Sequence, residues 1–200
     1  MEKKRVEFRF KGMRNYIHGT DMFNTMTGGY QPGTLENIRF TIHNFVWKPS
    51  CDLFQANSKE ALNSRTDAKV RCQFDCNGST HYLVLVEQDG DTSTGSRYEY
   101  DEDRIVALTR TPDDFIELTQ KSPFTFIETV VAMNKHLLQT RFPKAPGKWA
   151  FTRIDLTNDC DDREKIALHF RHNMNFRLTK TDVLVDGQEV GDIYFSLVKS

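Results

Sequence analysis

A few residues in this chain carry side chains that could do chemistry, and each has a structural alternative. Glu128 lies in the apolar segment Phe126-Ile-Glu-Thr-Val-Val-Ala132, sharing a helix side with Phe124 and Val131. An acid in the first two turns of a helix is also favoured by the helix dipole without any catalytic purpose. Asn134 falls on the apolar stripe of the same segment, where a buried amide must find partners, either on a neighbouring strand or on a ligand. His18, before Gly19, is a candidate base or a simple turn or cap residue. Cys72 and Cys76, four apart in a strand, point to one face and with Cys51 and His81 could in principle surround zinc. Structural zinc sites bring tight ligand pairs on turns, so free thiols are the expected state. The run Asp155 to Arg163 lacks the spaced ligands and glycine of a calcium loop and reads as a solvated connection. His169 and His172, close to Arg171 and Arg177, read as a solvated or ion-paired face.

The elements that position these groups follow from periodicity. Ile127, Val130, Val131, Asn134 and Leu138 recur at helical spacing, which predicts a long apolar helix over 122–139. Ser122 is its expected cap and Pro123 its first residue, while Phe142-Pro143 and Pro146-Gly147 stop it. A short helix is expected near Thr20 to Thr27. Strands are expected at Arg5–Lys11, Asn37–Trp47, Ala68–Asp75, Thr80–Glu87, Arg104–Thr109, Lys148–Leu156, Lys165–Arg171, Phe176–Val185 and Val190–Val198. Asn77-Gly78 and Asp186-Gly187 are hairpin turns, and Gln88 to Ser96 is a polar loop. Asn57 to Asp67 reads equally as a connection or a short exposed helix.

Composition sets the bounds. Two hundred residues with 38% hydrophobic content can bury a real core. A net charge of −1, with neither half markedly basic, leaves no electrostatic footprint for nucleic acid. No apolar run has membrane length and no signal segment precedes Val6, so a cytoplasmic protein without membrane insertion is expected, its four cysteines reduced. The two halves, 1–96 and 97–200, share a plan of strand, helix and antiparallel strands. Duplication and one enlarged domain both fit that plan.

The stretches Phe126-Ile-Glu-Thr-Val-Val-Ala132, Tyr16-Ile-His-Gly-Thr-Asp21 and Thr181 to Leu197 together resemble the hotdog fold, in its β-hydroxyacyl thioester dehydratase and acyl-CoA thioesterase branches. The resemblance implies an α+β architecture, an antiparallel sheet wrapped around a central helix, possible here as a double hotdog. It implies His18 as base and Glu128 as acid, with Asn24, Phe124 and Asn134 against the substrate. Gly19-Thr20-Asp21 follows His18 where the dehydratases carry a proline, and Asn24 stands in the first half where Glu128 stands in the second.

Under that resemblance the substrate is an acyl thioester, carried by coenzyme A or an acyl carrier protein. Dehydration would use a neutral imidazole to take the α proton and a neutral carboxyl to protonate the leaving hydroxyl. First-turn N–H groups of the long helix could hold the thioester oxygen. Thioester hydrolysis would use the carboxylate to activate water or to attack directly. Neither scheme calls for a metal or a redox cofactor. Pairing of sheet edges implies a homodimer. The alternative is a non-catalytic hotdog protein that binds an apolar ligand or serves in assembly.

Overall fold

The computed structural model describes residues 2–88, 95–160 and 165–198, and the chain divides into two compact units, Met1–Tyr100 and Asp101–Ser200. The polar loop expected over 88–96 and the acidic run from Asp155 lie partly outside the described residues.

The first unit holds β1 (Glu2–Glu7), β2 (Phe10–Lys11), α1 (Gly19–Thr27), β3 (Leu35–Ile42), β4 (Ser50–Ala56), α2 (Lys59–Asn63), β5 (Val70–Cys76), β6 (Ser79–Glu87) and β7 (Arg97–Tyr98). Its antiparallel sheet runs β1-β4-β6-β5-β3, and β2 and β7 form a small parallel pair. The β5–β6 hairpin turns at Asn77 and Gly78, both with positive φ (50° and 74°), as an Asn-Gly pair favours. Alternation along β5 buries Val70, Cys72, Phe74 and Cys76. Met22, Phe23 and Met26 of α1 join this core, Phe23 meeting Phe40 of β3 edge to face at 5.4 Å.

Several boundaries differ from the sequence expectation. The strand expected over Arg5–Lys11 is interrupted, because Phe8 leaves the β1 ladder and its N–H bonds to the Pro49 carbonyl. The strand from Asn37 stops at Ile42, and Phe45 and Trp47 instead cluster with Tyr16, at ring separations of 4.9 and 6.2 Å from it. β4 carries no clean alternation and was not expected; its ladder partners β1 and β6 define it. Asn57 to Asp67 contains a true helix, α2, capped by Ser58 and anchored by buried Leu62.

The second unit holds α3 (Asp103–Val106), β8 (Thr109–Arg110), β9 (Phe115–Leu118), α4 (Phe126–Arg141), β10 (Lys148–Asn158), β11 (Ile166–Asn173), β12 (Thr179–Val185) and β13 (Gln188–Val198). Its antiparallel strands run β10-β13-β12-β11-β9-β8, and α4 packs on β9, β10 and β11. Ten of the sixteen residues of α4 are buried, which makes it a core helix and not an amphipathic surface one. Each large apolar side chain it buries contributes about 1.5–3 kcal/mol.

The expected start of α4 at Ser122 and Pro123 is corrected to Phe126. Thr125 and Glu128 form a reciprocal capping box, which outcompetes a lone serine cap. The Ser122 hydroxyl is held elsewhere, accepting from Thr129 Oγ1 at 2.8 Å and from the Phe124 N–H at 3.2 Å. Arg104–Thr109 is a helical turn followed by the short β8; the Asp101 carboxylate accepts from the Asp103 N–H at 3.0 Å and starts that turn. The strand expected from Phe176 begins at Thr179, since Asn175 and Phe176 both adopt positive φ (51° and 61°). No helix among the described residues is long and apolar enough to cross a membrane.

Candidate functional site

In the first unit, the polar side chains gather at the amino end of α1. The parallel pairing of Lys11 with Tyr98 sets the two residues side by side. The chain then turns through Gly12, with φ of 58°, and reaches His18, whose extended backbone (ψ 141°) precedes the first turn of α1. That turn supplies Thr20 and Asp21. Lys11 is fully buried, and an ammonium there is tolerable only with close partners. It donates to Thr20 Oγ1 at 2.8 Å and to Asp21 Oδ1 at 3.0 Å, and lies 4.2 Å from the centroid of the Tyr100 ring. The Tyr98 hydroxyl donates to the Asp21 carboxylate at 2.8 Å, and His18 Nδ1 lies 2.8 Å from Thr20 Oγ1. By its backbone His18 is the N-cap residue of α1, one of the two readings the sequence allows, while its side chain makes no cap and is buried and connected.

Asn24 is half-buried further along α1, about 9 Å of helical rise from His18, so these two residues are not brought together. Phe124, Glu128 and Asn134 belong to the second unit. Phe124 precedes α4 rather than lying on it, and Arg104 stacks over its ring at 5.4 Å. Glu128 is half-buried at the third position of α4. Its Oε2 accepts from the Thr125 N–H at 3.1 Å and from the Thr125 hydroxyl at 2.9 Å, while its own N–H donates to Thr125 Oγ1 at 3.4 Å. Two hydrogen bonds from Thr125 thus converge on one carboxyl oxygen at the amino end of α4.

Asn134 is fully buried, and neither polar atom of its side chain has a hydrogen-bond partner among the described residues. A buried unsatisfied amide costs about 1–3 kcal/mol. Asn134→Leu is therefore expected to raise unfolding stability by about that amount, read as a higher urea midpoint at unchanged m. A less stable variant would show that the amide is satisfied by a bound group such as an ordered water.

The cysteine set offers little for a metal. Cys51, Cys72 and Cys76 are buried and in no disulfide, and burial pushes the Cys72 thiol up. Among the described residues the ligand-bearing atoms that come together are those of Asp182, Glu189 and Asp192. Two of these already have cations: Arg171 pairs with Asp182, and Lys180 with Asp192 at 3.0 Å. The hydrogen bond from Lys180 to Asp192 raises the lysine's pKa, and the bond from Arg153 to Asp155 does the same for the arginine. This is the ion-paired face expected around His169 and Arg171.

Lys11, Thr20, Tyr98 and Tyr100 were not singled out from the sequence as site residues. Strict alternation after Val6, Phe8 and Phe10 places Lys11 on the solvent side. The interruption at Phe8 removes that register, and Phe10 and Lys11 are both buried. Gly12, directly after Lys11, is the one sequence signal that the strand ends there.

No family model matches the sequence, and no curated protein matches it. Solved structures do. The dehydratase domain of PpsC from Mycobacterium tuberculosis, in complex with C12:1-CoA, aligns with a TM-score of 0.52 at 6% identity, covering 98% of this chain and 93% of that one. A protein provisionally described as a thioesterase II from Thermobifida fusca aligns at 0.54 with 5% identity, over 100% and 93% of the two chains. The pyran synthase domain from module nine of the sorangicin pathway aligns at 0.50 with 10% identity, over 100% and 95%. At such identities the likeness is one of fold, and the fold is the hotdog fold.

Proposed function

We propose that this hotdog protein acts on acyl thioesters, and that the reaction is hydrolysis. Fold alone hosts several chemistries, so the choice rests on the site. The observation that carries it is the capping box at Glu128, in which the side chain serves as an acceptor of two hydrogen bonds from Thr125. Dehydration asks this carboxyl to arrive protonated and give its proton to a departing hydroxyl. Hydrolysis asks for an acceptor, the role Glu128 already plays in the capping box: a carboxylate that takes a proton from water or attacks the acyl carbon.

In this scheme His18 polarises the thioester oxygen, where negative charge develops as the tetrahedral intermediate forms. The acyl-CoA bound by the similar Mycobacterium tuberculosis domain supports a thioester as the substrate class, with acyl-CoA or an acyl carrier protein as carrier. Asn24, Phe124 and Asn134 are proposed to line the acyl or pantetheine path. A cytoplasmic homodimer remains the proposed context.

The experiment is thiol release from saturated acyl-CoA substrates of graded chain length, by the purified full chain. Release that saturates with substrate and falls in both Glu128→Gln and His18→Ala supports hydrolysis. A folded protein that releases no thiol from any of them, or from acyl-pantetheine, contradicts it and favours ligand binding or assembly.

A further inference from the structure

We infer that Lys11 is a positioning residue for His18, acting through the Thr20 hydroxyl to keep the imidazole neutral with its proton on Nε2. This deepens the thioester reading above and rests on it for its catalytic meaning. The assignment follows from the lengths of the contacts around one oxygen, which offers one proton and two lone pairs. Thr20 Oγ1 lies 2.8 Å from Lys11 Nζ, 2.8 Å from His18 Nδ1 and 3.4 Å from Asp21 Oδ1. An ammonium has only donors, so the hydroxyl accepts from Lys11. Its single proton is then left for one of the other two contacts. The shorter is to His18, and Asp21 Oδ1 already accepts from Lys11 and from Tyr98. Thr20 thus donates to His18 Nδ1, and the imidazole proton resides on Nε2.

The charge pattern reinforces the same state. Protonating Nδ1 would remove the acceptor of the Thr20 proton and set a second cation two hydrogen bonds from the first. Titratable and charged groups gathered around His18 include Lys11 of β2, Asp21 of α1, Tyr98 of β7 and Tyr100, with Arg14 over the Tyr100 ring at 5.7 Å. Lys11 is the buried cation among them and shares an oxygen with His18. A His18 held in this form meets a thioester as a hydrogen-bond donor, the role hydrolysis needs, and has no lone pair on Nε2 with which to take an α proton.

The test is nitrogen-15 NMR of the histidine side chains in the full-length protein without substrate, with His18 assigned by the His18→Gln variant. The expected wild-type signature is an unprotonated Nδ1 and a protonated Nε2. In Lys11→Met the ammonium that turns the Thr20 proton toward the ring is gone, so the Nδ1–H tautomer appears and the His18 titration midpoint rises by about one unit. Thr20→Val perturbs the tautomer while keeping the ammonium, and Thr20→Ser restores it, which separates the relay from general loss of structure. Thiol release, measured on the same variants, is expected to fall about tenfold in Thr20→Val and to recover in Thr20→Ser. A wild-type proton on Nδ1, or a folded Lys11→Met with tautomer and midpoint unchanged, overturns the inference. The expected NMR signature in a protein inactive on every thioester supports the Lys11 relay and overturns the hydrolytic reading alone.

Discussion

Glu128→Gln is expected to lower kcat for thioester hydrolysis by about 10²- to 10⁴-fold with the fold intact. The substitution is informative because glutamine can replace glutamate in a capping box, still accepting from the Thr125 N–H and hydroxyl. It removes the negative charge and the proton-accepting capacity and little else. Circular dichroism and the urea midpoint should match the wild type within about 0.5 kcal/mol. Glu128→Ala serves as the contrast: it removes the cap as well and is expected to cost about 1 kcal/mol of stability on top of the lost activity. A Glu128→Gln protein with near wild-type kcat would assign the residue to helix capping and remove it from the chemistry.

Gly191→Ala is expected to destabilise the protein by about 3–5 kcal/mol. Gly191 sits in β13 with φ of 151°, opposite Leu156 of β10 and Val183 of β12. A Cβ there would lie 2.0 Å from the Asp155 carbonyl oxygen and 2.9 Å from the Leu156 Cα, both backbone atoms of the neighbouring strand. Neither can move without opening the β10–β13 ladder. The register of β12 against β13 shifts just past this residue, between Val183 and Leu184, so the close approach belongs to a local bulge. Gly78→Ala provides the comparison. Its φ of 74° is equally unsuited to alanine, but nothing lies within 4 Å, so only backbone strain of about 1 kcal/mol is expected. Urea unfolding of the two variants in parallel checks the contrast, and a Gly191→Ala loss no larger than that of Gly78→Ala would contradict it.

The parts of the fold that were legible are those in which one local signal decides the outcome. The apolar spacing of Ile127, Val130, Val131 and Leu138 announces a buried helix, and all four are in the core. Asn77-Gly78 and Asp186-Gly187 announce their hairpins because few other residues adopt positive φ in sequence. Elements set by long-range partners were not legible: β4 is a strand because β1 and β6 lie on either side of it. The candidate site was legible only in part. His18 and Glu128 were found through a resemblance, whereas the buried cation beside His18 depends on a parallel pairing of Lys11 with Tyr98, 87 residues away in the sequence. No periodicity within one segment can report such a contact. The start of α4 was misplaced for a related reason, two caps three residues apart competing for one helix.

A single substrate offers both reactions at once. A 3-hydroxyacyl-CoA can lose its thiol to water or lose water to give an enoyl thioester, and the two are followed side by side as free thiol and enoyl absorbance. If Glu128 acts as a carboxylate and His18 as a donor, as proposed, the wild-type protein should release thiol with no enoyl product, and Glu128→Gln should abolish the release. Enoyl formation without thiol release would contradict this directly, showing that Glu128 reaches the substrate as an acid and that the reaction is dehydration.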